Sequence, residues 1–151
     1  MKISLVAVGK TQNKDIAGVI AEYTGRIGRY ANFDFIEIAD DAKTTESKLA
    51  KALGKFDRVF LLDERGREYR SVEFADFVQK QMNSGVKSVA FVVGGPFGFT
   101  DEIRALASPA LGGGSIALSK MTFPHDLVRA IFVEQLYRAF SIIRNEKYHH
   151  E

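Results

Sequence analysis

The run Ser88-Val89-Ala90-Phe91-Val92-Val93-Gly94-Gly95-Pro96-Phe97-Gly98-Phe99-Thr100-Asp101-Glu102 changes backbone regime twice. Ser88–Val93 is short, apolar and rich in β-branched side chains, the pattern of a strand buried on both faces. Glycines and a proline then break it, and glycine at a strand end lets a ligand or another backbone approach closely. Thr100 follows as a capping hydroxyl, with Asp101 and Glu102 where orphan N–H groups and the positive end of a helix dipole favour acids. Strand, glycine turn and capped helix make up the repeating unit of an α/β sheet.

The same alternation extends in both directions. Strands are expected at Lys2–Val8, Phe33–Ile38, Arg58–Asp63 and Ser115–Leu118, besides Ser88–Val93. Helices are expected at Asn13–Tyr30, Thr44–Leu53, Val72–Ser84, Asp101–Ala107 and His125–Arg144. Gly112-Gly113-Gly114 permits a tight return into the sheet, and Pro124 can open the last helix because its missing N–H would be unsatisfied there anyway. The expected fold is one α/β domain over residues 1–151, built on a mostly parallel sheet.

The last helix departs from the usual amphipathic pattern. Leu127, Val128, Ile131, Phe132, Val133, Leu136, Tyr137, Phe140, Ile142 and Ile143 point in all directions around it, where a surface helix shows one apolar stripe. Either the helix is wholly internal, or a second copy of the chain covers what the sheet does not. Two-fold pairing is the commonest arrangement and is the expectation here.

Composition narrows the function. The 151 residues are 46% hydrophobic and 26% charged, the balance of a globular domain, with no apolar run long enough to span a bilayer. Met1–Gly9 has too short an apolar stretch for a signal peptide, and a first strand is the expected reading. The absence of cysteine rules out disulfides, thiolate metal sites and cysteine nucleophiles, and is compatible with a reducing cytoplasm. A net charge of +2 argues against a protein that coats nucleic acid non-specifically. It leaves room for a local patch, and basic residues gather near both ends: Lys2, Lys10, Lys14, Arg26 and Arg29, then Arg138, Arg144 and Lys147.

Common motifs are missing. Gly9-Lys10-Thr11-Gln12-Asn13 lacks dinucleotide-binding spacing, and there is no phosphate-binding P-loop, no G-x-S-x-G elbow and no histidine pair at metal spacing. Three candidates remain. They are the Gly94–Phe99 turn, the loop Leu118-Ser119-Lys120-Met121-Thr122-Phe123-Pro124-His125, and the tail Asn145–Glu151. In open α/β sheets, ligands bind outside the carboxyl ends of the strands, where the first two lie.

Together these segments resemble the large-subunit rRNA methyltransferase H group of SPOUT methyltransferases. The resemblance runs from Leu5-Val6-Ala7-Val8-Gly9-Lys10 through Ala21-Glu22-Tyr23 and Phe60-Leu61-Leu62-Asp63. It is most specific in Gly94-Gly95-Pro96-x-Gly98, Leu118–His125, Val133-Glu134-Gln135-Leu136-Tyr137-Arg138-Ala139 and Tyr148-His149. It implies a SPOUT-type α/β knot, in which Gly94–Phe123 form a deep trefoil, although ordinary folding rules favour unknotted chains. It also implies a homodimer that methylates N3 of a pseudouridine in the assembled ribosome, using S-adenosylmethionine and no metal.

By that resemblance the cofactor would lie against Leu62, Gly94, Leu118, Ser119, Lys120, Met121, Thr122 and Phe123. Tyr148 and His149 would supply the base, or the donor that stabilises a developing oxyanion, histidine being the side chain that titrates nearest neutrality. Arg129, Arg138, Arg144, Lys147 and His150 would face RNA across the dimer, and His125 would serve the helix start or an RNA contact. His150 stands where the group often has arginine or lysine, and Asp40–Leu53 is shorter than in many members. Rival readings are a SPOUT enzyme for tRNA or another rRNA nucleotide, a non-catalytic ribosome-binding module, and a flavodoxin-like regulator.

Overall fold

A computed structural model describes residues 1–41 and 43–150. Its five strands are β1 (Lys2–Val8), β2 (Asn32–Ile38), β3 (Arg58–Glu68), β4 (Ser88–Val93) and β5 (Gly114–Ala117). They form one parallel sheet in the order β2-β1-β4-β3-β5. Helices α1 (Lys14–Ile27), α2 (Thr45–Leu53), α3 (Ser71–Asn83), α4 (Asp101–Leu106) and α5 (His125–Ile143) alternate with the strands, and a 3-10 turn at Pro109–Leu111 precedes β5. This is the expected helix-flanked parallel sheet. The Asp40–Leu53 segment, expected to be shorter than in many related chains, includes Ala42, which lies outside the described residues.

Because successive side chains on a strand point to opposite faces, the central strands feed two cores. Ile3, Leu5 and Ala7 of β1 and Val89, Phe91 and Val93 of β4 face α1, α3 and α5. Val6 and Val8 with Ala90 and Val92 face α2 and α4. Burial on both sides explains why β1 and β4 read as nearly unbroken apolar runs. Thr100 caps α4 as its sequence suggests, accepting the Ile103 N–H at 3.3 Å.

α5 is covered within its own chain. It lies between α1 and α3 against the sheet, with Phe132, Val133, Leu136, Ala139 and Phe140 all buried. Leu127 is exposed, and Val128, Ile131, Tyr137, Ile142 and Ile143 remain partly exposed. Its apolar circumference therefore reflects three-sided packing inside one protomer and does not by itself require a second copy.

β3 runs past its expected end at Asp63. Leu62 and Arg67 both pair with Ile116, so Asp63–Gly66 bulge out of the ladder before pairing resumes. Gly66 makes this possible. A Cβ there would stand 2.6 Å from the Ser115 carbonyl carbon and 2.7 Å from the Ile116 nitrogen.

Candidate active site

The carboxyl ends of β3, β4 and β5 open into a cleft of about 420 Å3. Leu62, Gly94, Leu118, Ser119, Met121, Thr122 and Phe123 line it. Lys120 turns away, with Nζ 3.6 Å from Glu68 and a highly exposed side chain. The loop after β5 is drawn onto the bulged arm of β3, since Thr122 donates to Glu64 at 2.6 Å. Within the loop, the Met121 N–H donates to the Ser119 hydroxyl at 3.0 Å.

Gly94 has a packing reason that its sequence context does not reveal. A Cβ there would meet the Phe99 ring at 3.1 and 3.2 Å, so the absent side chain makes room for this ring beside the cleft. Phe99 in turn sits under Arg104, whose guanidinium carbon is 5.7 Å from the ring centre.

Sequence reasoning missed the cleft's charged groups. Arg104 donates to Asp63 Oδ2 at 2.8 Å, and the Arg65 N–H donates to Asp63 Oδ1 at 3.0 Å. Burial works against ionisation of Asp63, but these two donors outweigh it and hold the carboxyl below its ordinary value. The available signal was position: an acid directly after the apolar run of β3 faces the end of the sheet where ligands bind. His125, the first residue of α5, also lines the cleft.

The tail lies elsewhere. Asn145, at φ 56°, lets the chain reverse after α5. Tyr148 then packs edge-on against Tyr137 at 4.7 Å and donates to Glu134 at 2.7 Å, with the Tyr23 hydroxyl 3.1 Å away. Arg138 donates to Glu134 at 2.7 Å, covers the Tyr148 ring at 4.8 Å and reaches His149 Nδ1 at 3.0 Å. Burial, followed by the hydrogen bonds from Tyr23 and to Glu134, pushes the Tyr148 hydroxyl well above its ordinary pKa. Arginine can only donate, so Nδ1 of His149 is the acceptor and the ring proton of the neutral form sits on Nε2. Among the described residues of the tail, 145–150, none lines the cleft of its own chain.

The five arginine, lysine and histidine candidates for RNA contact divide. Arg144 is exposed, with its guanidinium carbon 5.5 Å from the Tyr30 ring centre, and Lys147 and His150 are exposed. Arg138 is half-spent in the Glu134 network. Arg129 is corrected: it is buried, and donates to the Val8 and Gly9 carbonyls, each at 2.9 Å, and to Thr11 and Glu37. It clasps α5 to the end of β1 and has no face left for RNA. Among the described residues, no cluster of His, Cys, Asp or Glu is placed to hold a metal, and no helix is long and apolar enough to cross a membrane.

Residues 1–149 match the family described as "Predicted SPOUT methyltransferase". The chain is 44% identical over 163 positions to the ribosomal RNA large subunit methyltransferase H of Flavobacterium johnsoniae, with both chains fully covered. It is 43% identical over 162 positions to the protein of that name from Flavobacterium psychrophilum, again with full coverage of both. These alignments are longer than the 151-residue chain, so the relatives carry residues that it lacks. Among solved structures, a probable methylase family protein from Haemophilus influenzae superposes with a TM-score of 0.52 at 13% identity, over 99% of this chain and 70% of the other. That likeness is one of fold.

Proposed function

The chain belongs to the SPOUT methyltransferase family, and on that premise we propose that it methylates N3 of a pseudouridine in large-subunit ribosomal RNA. The donor is S-adenosylmethionine, the substrate is the assembled ribosome in the cytoplasm, and the enzyme is a homodimer. The observation that carries this reading is the cleft at the ends of β3, β4 and β5, bordered by Gly94 and the Leu118–Phe123 loop. It is supported by relatives of over 40% identity named as rRNA large subunit methyltransferases.

The residues present suit the cofactor. Leu62, Val93, Leu118, Phe123 and Val128 give apolar walls, and the glycine turn and loop bring backbone donors and acceptors to their edge. Bound there, S-adenosylmethionine supplies an electrophilic methyl on a sulfonium whose charge vanishes on transfer. Apolar walls stabilise the starting cation little and keep water from the reacting atoms. Asp63, fixed by Arg104 and Arg65, presents an oriented carboxylate to the cleft.

The tail serves as a donor rather than a base. The Tyr148 hydroxyl keeps its proton at neutral pH and holds it toward Glu134, with His149 beside it on Arg138. Turned from Glu134 to the substrate, the Tyr148 hydroxyl would hydrogen-bond a pyrimidine carbonyl as N3 loses its proton and negative charge spreads onto oxygen, with His149 beside it. Because the tail is remote from its own cleft, a second copy provides it. Arg138, Arg144, Lys147 and His150 then lie beside the partner's cofactor and meet the RNA backbone.

The trefoil knot over Gly94–Phe123 belongs to the same reading. It is supported by the path from β5, at the sheet edge, to the start of α5 beside β1, which takes residues 118–124 across the ends of β3 and β4.

Transfer from radiolabelled S-adenosylmethionine tests the function, with ribosomes lacking the modification, isolated subunits and tRNA offered in parallel. Label on a large-subunit pseudouridine, strongest in whole ribosomes, is expected. Label on tRNA would replace the substrate, and cofactor binding without any transfer would leave a binding module.

A further inference from the structure

A second cavity, of about 480 Å3, backs onto the cofactor cleft and shares the Gly95–Phe99 turn as a wall. Its remaining walls come from the opposite core: Val8, Leu49 and Ile103 form an apolar floor with Phe99. The polar side chains at its lip, Asp40, Thr45, Glu46 and Thr100, stand around the start of α2 and α4. The Thr45 hydroxyl is engaged with the Asp41 carbonyl at 2.5 Å, and the Thr100 hydroxyl accepts the Ile103 N–H. That leaves two carboxylates, which accept hydrogen bonds and repel anions, Asp40 with one oxygen 3.3 Å from the Thr45 hydroxyl and the other open; among the described residues no lysine or arginine lines the cavity.

Over this lip stands Phe97, whose side chain is fully exposed. It rides the tip of a turn closed by the Gly98 N–H donating to the Gly95 carbonyl at 3.1 Å, with Gly98 at φ 73°. A lone exposed hydrophobe needs no explanation. A ring held out on a closed turn, at the lip of an apolar cavity whose charged groups are acceptors, describes a binding site for a flat ligand. That ligand has an apolar face for the ring, an edge of N–H donors for Asp40 and Glu46, and no phosphate inside the cavity.

We infer that this cavity is a subsite for a nucleobase bearing an exocyclic amino group, on a nucleotide flanking the one that is methylated. Phe97 stacks on that base, and Asp40 and Glu46 accept from its amino edge. The inference rests on the rRNA reading above: one turn separates the two cavities, so a strand with its target base at the cofactor seats a neighbouring base here. A uracil-type base offers the carboxylates fewer donors than adenine or cytosine and is discriminated against.

The test uses the full chain, 15N-labelled and saturated with S-adenosylhomocysteine so that nucleosides are kept out of the first cleft. Adenosine, cytidine and uridine are then titrated while the amides of Glu46, Gly98 and Phe99 are followed. Adenosine and cytidine should shift these amides, uridine should not, and the double variant Asp40→Asn/Glu46→Gln should lose the response. With ribosomes, Phe97→Ala should raise KM about tenfold and leave kcat and cofactor affinity unchanged, and Phe97→Trp should restore KM. Unmoved amides together with a wild-type KM for Phe97→Ala would overturn the subsite. Failure of the rRNA reading would show differently, as a wild-type protein that binds S-adenosylmethionine but transfers no labelled methyl to ribosomes.

Discussion

Arg129, Asp63 and Tyr148 are each polar, and the chain uses each for something different. Arg129 is a fastener: its guanidinium satisfies the Val8 and Gly9 carbonyls where β1 runs out of ladder partners. Arg129→Met should therefore cost about 3 kcal/mol of stability, because buried acceptors and Glu37 lose their donor. Chemical denaturation would measure this. Asp63 holds its carboxyl below the ordinary value, so it contributes stability that is present above the unfolded-state pKa of about 3.9 and lost as pH falls through the folded value. The stability gap between wild type and Asp63→Asn, followed by urea unfolding from pH 7 to 2, should be constant down to that pKa and close below it. Tyr148 is a protonated donor held by Glu134. Tyr148→Phe should lower kcat about 100-fold, as the loss of one preorganised donor does, with cofactor affinity unchanged by calorimetry.

The bulged arm of β3 is the element that shapes the cleft. It places Asp63 and Glu64 over the loop after β5, and it closes against β5 only because residue 66 has no side chain. Gly66→Ala should push the arm off Ser115, costing about 2 kcal/mol of stability and weakening S-adenosylmethionine binding in a titration. A wild-type affinity would show that the arm does not position the loop. This element also marks where the sequence stops being legible. β1 and β4 match their expected bounds because burial on both faces leaves an unbroken apolar signature. Glu64-Arg65-Gly66-Arg67-Glu68 carries no such signature, since its side chains serve the cleft and solvent, and no strand is expected there from the sequence. The Leu118–Phe123 loop and Gly94 were legible as cleft residues through their motif. The role of Gly94 in seating Phe99 was not, because the two meet only in the folded turn.

For the whole molecule, the cleft and the tail pose a problem that one chain does not solve. The cleft loops sit at the carboxyl ends of the strands, while Tyr148 and His149 are folded back among Tyr23, Glu134, Tyr137 and Arg138. The apolar girth of α5 is accounted for in part within one chain, since α1 and α3 pack against that helix while Leu127, Ile131 and Ile142 stay at least partly exposed. Arg129 read as a surface cation because charge alone does not report burial. The proposed second copy rests on the separation of cleft from tail, which becomes visible only in three dimensions. Mixing two inactive variants tests most directly whether one methyl-transfer centre draws on two copies. One carries Gly94→Val and lacks a usable cofactor cleft, and the other carries Tyr148→Phe with His149→Ala and lacks the tail donors. Each alone should leave ribosomes nearly unlabelled. After subunit exchange, an equal mixture should recover about a quarter of wild-type methyl transfer into large-subunit rRNA, since half the dimers are mixed and each holds one complete site. No recovery, with mixed dimers confirmed by mass, would contradict a centre shared between copies.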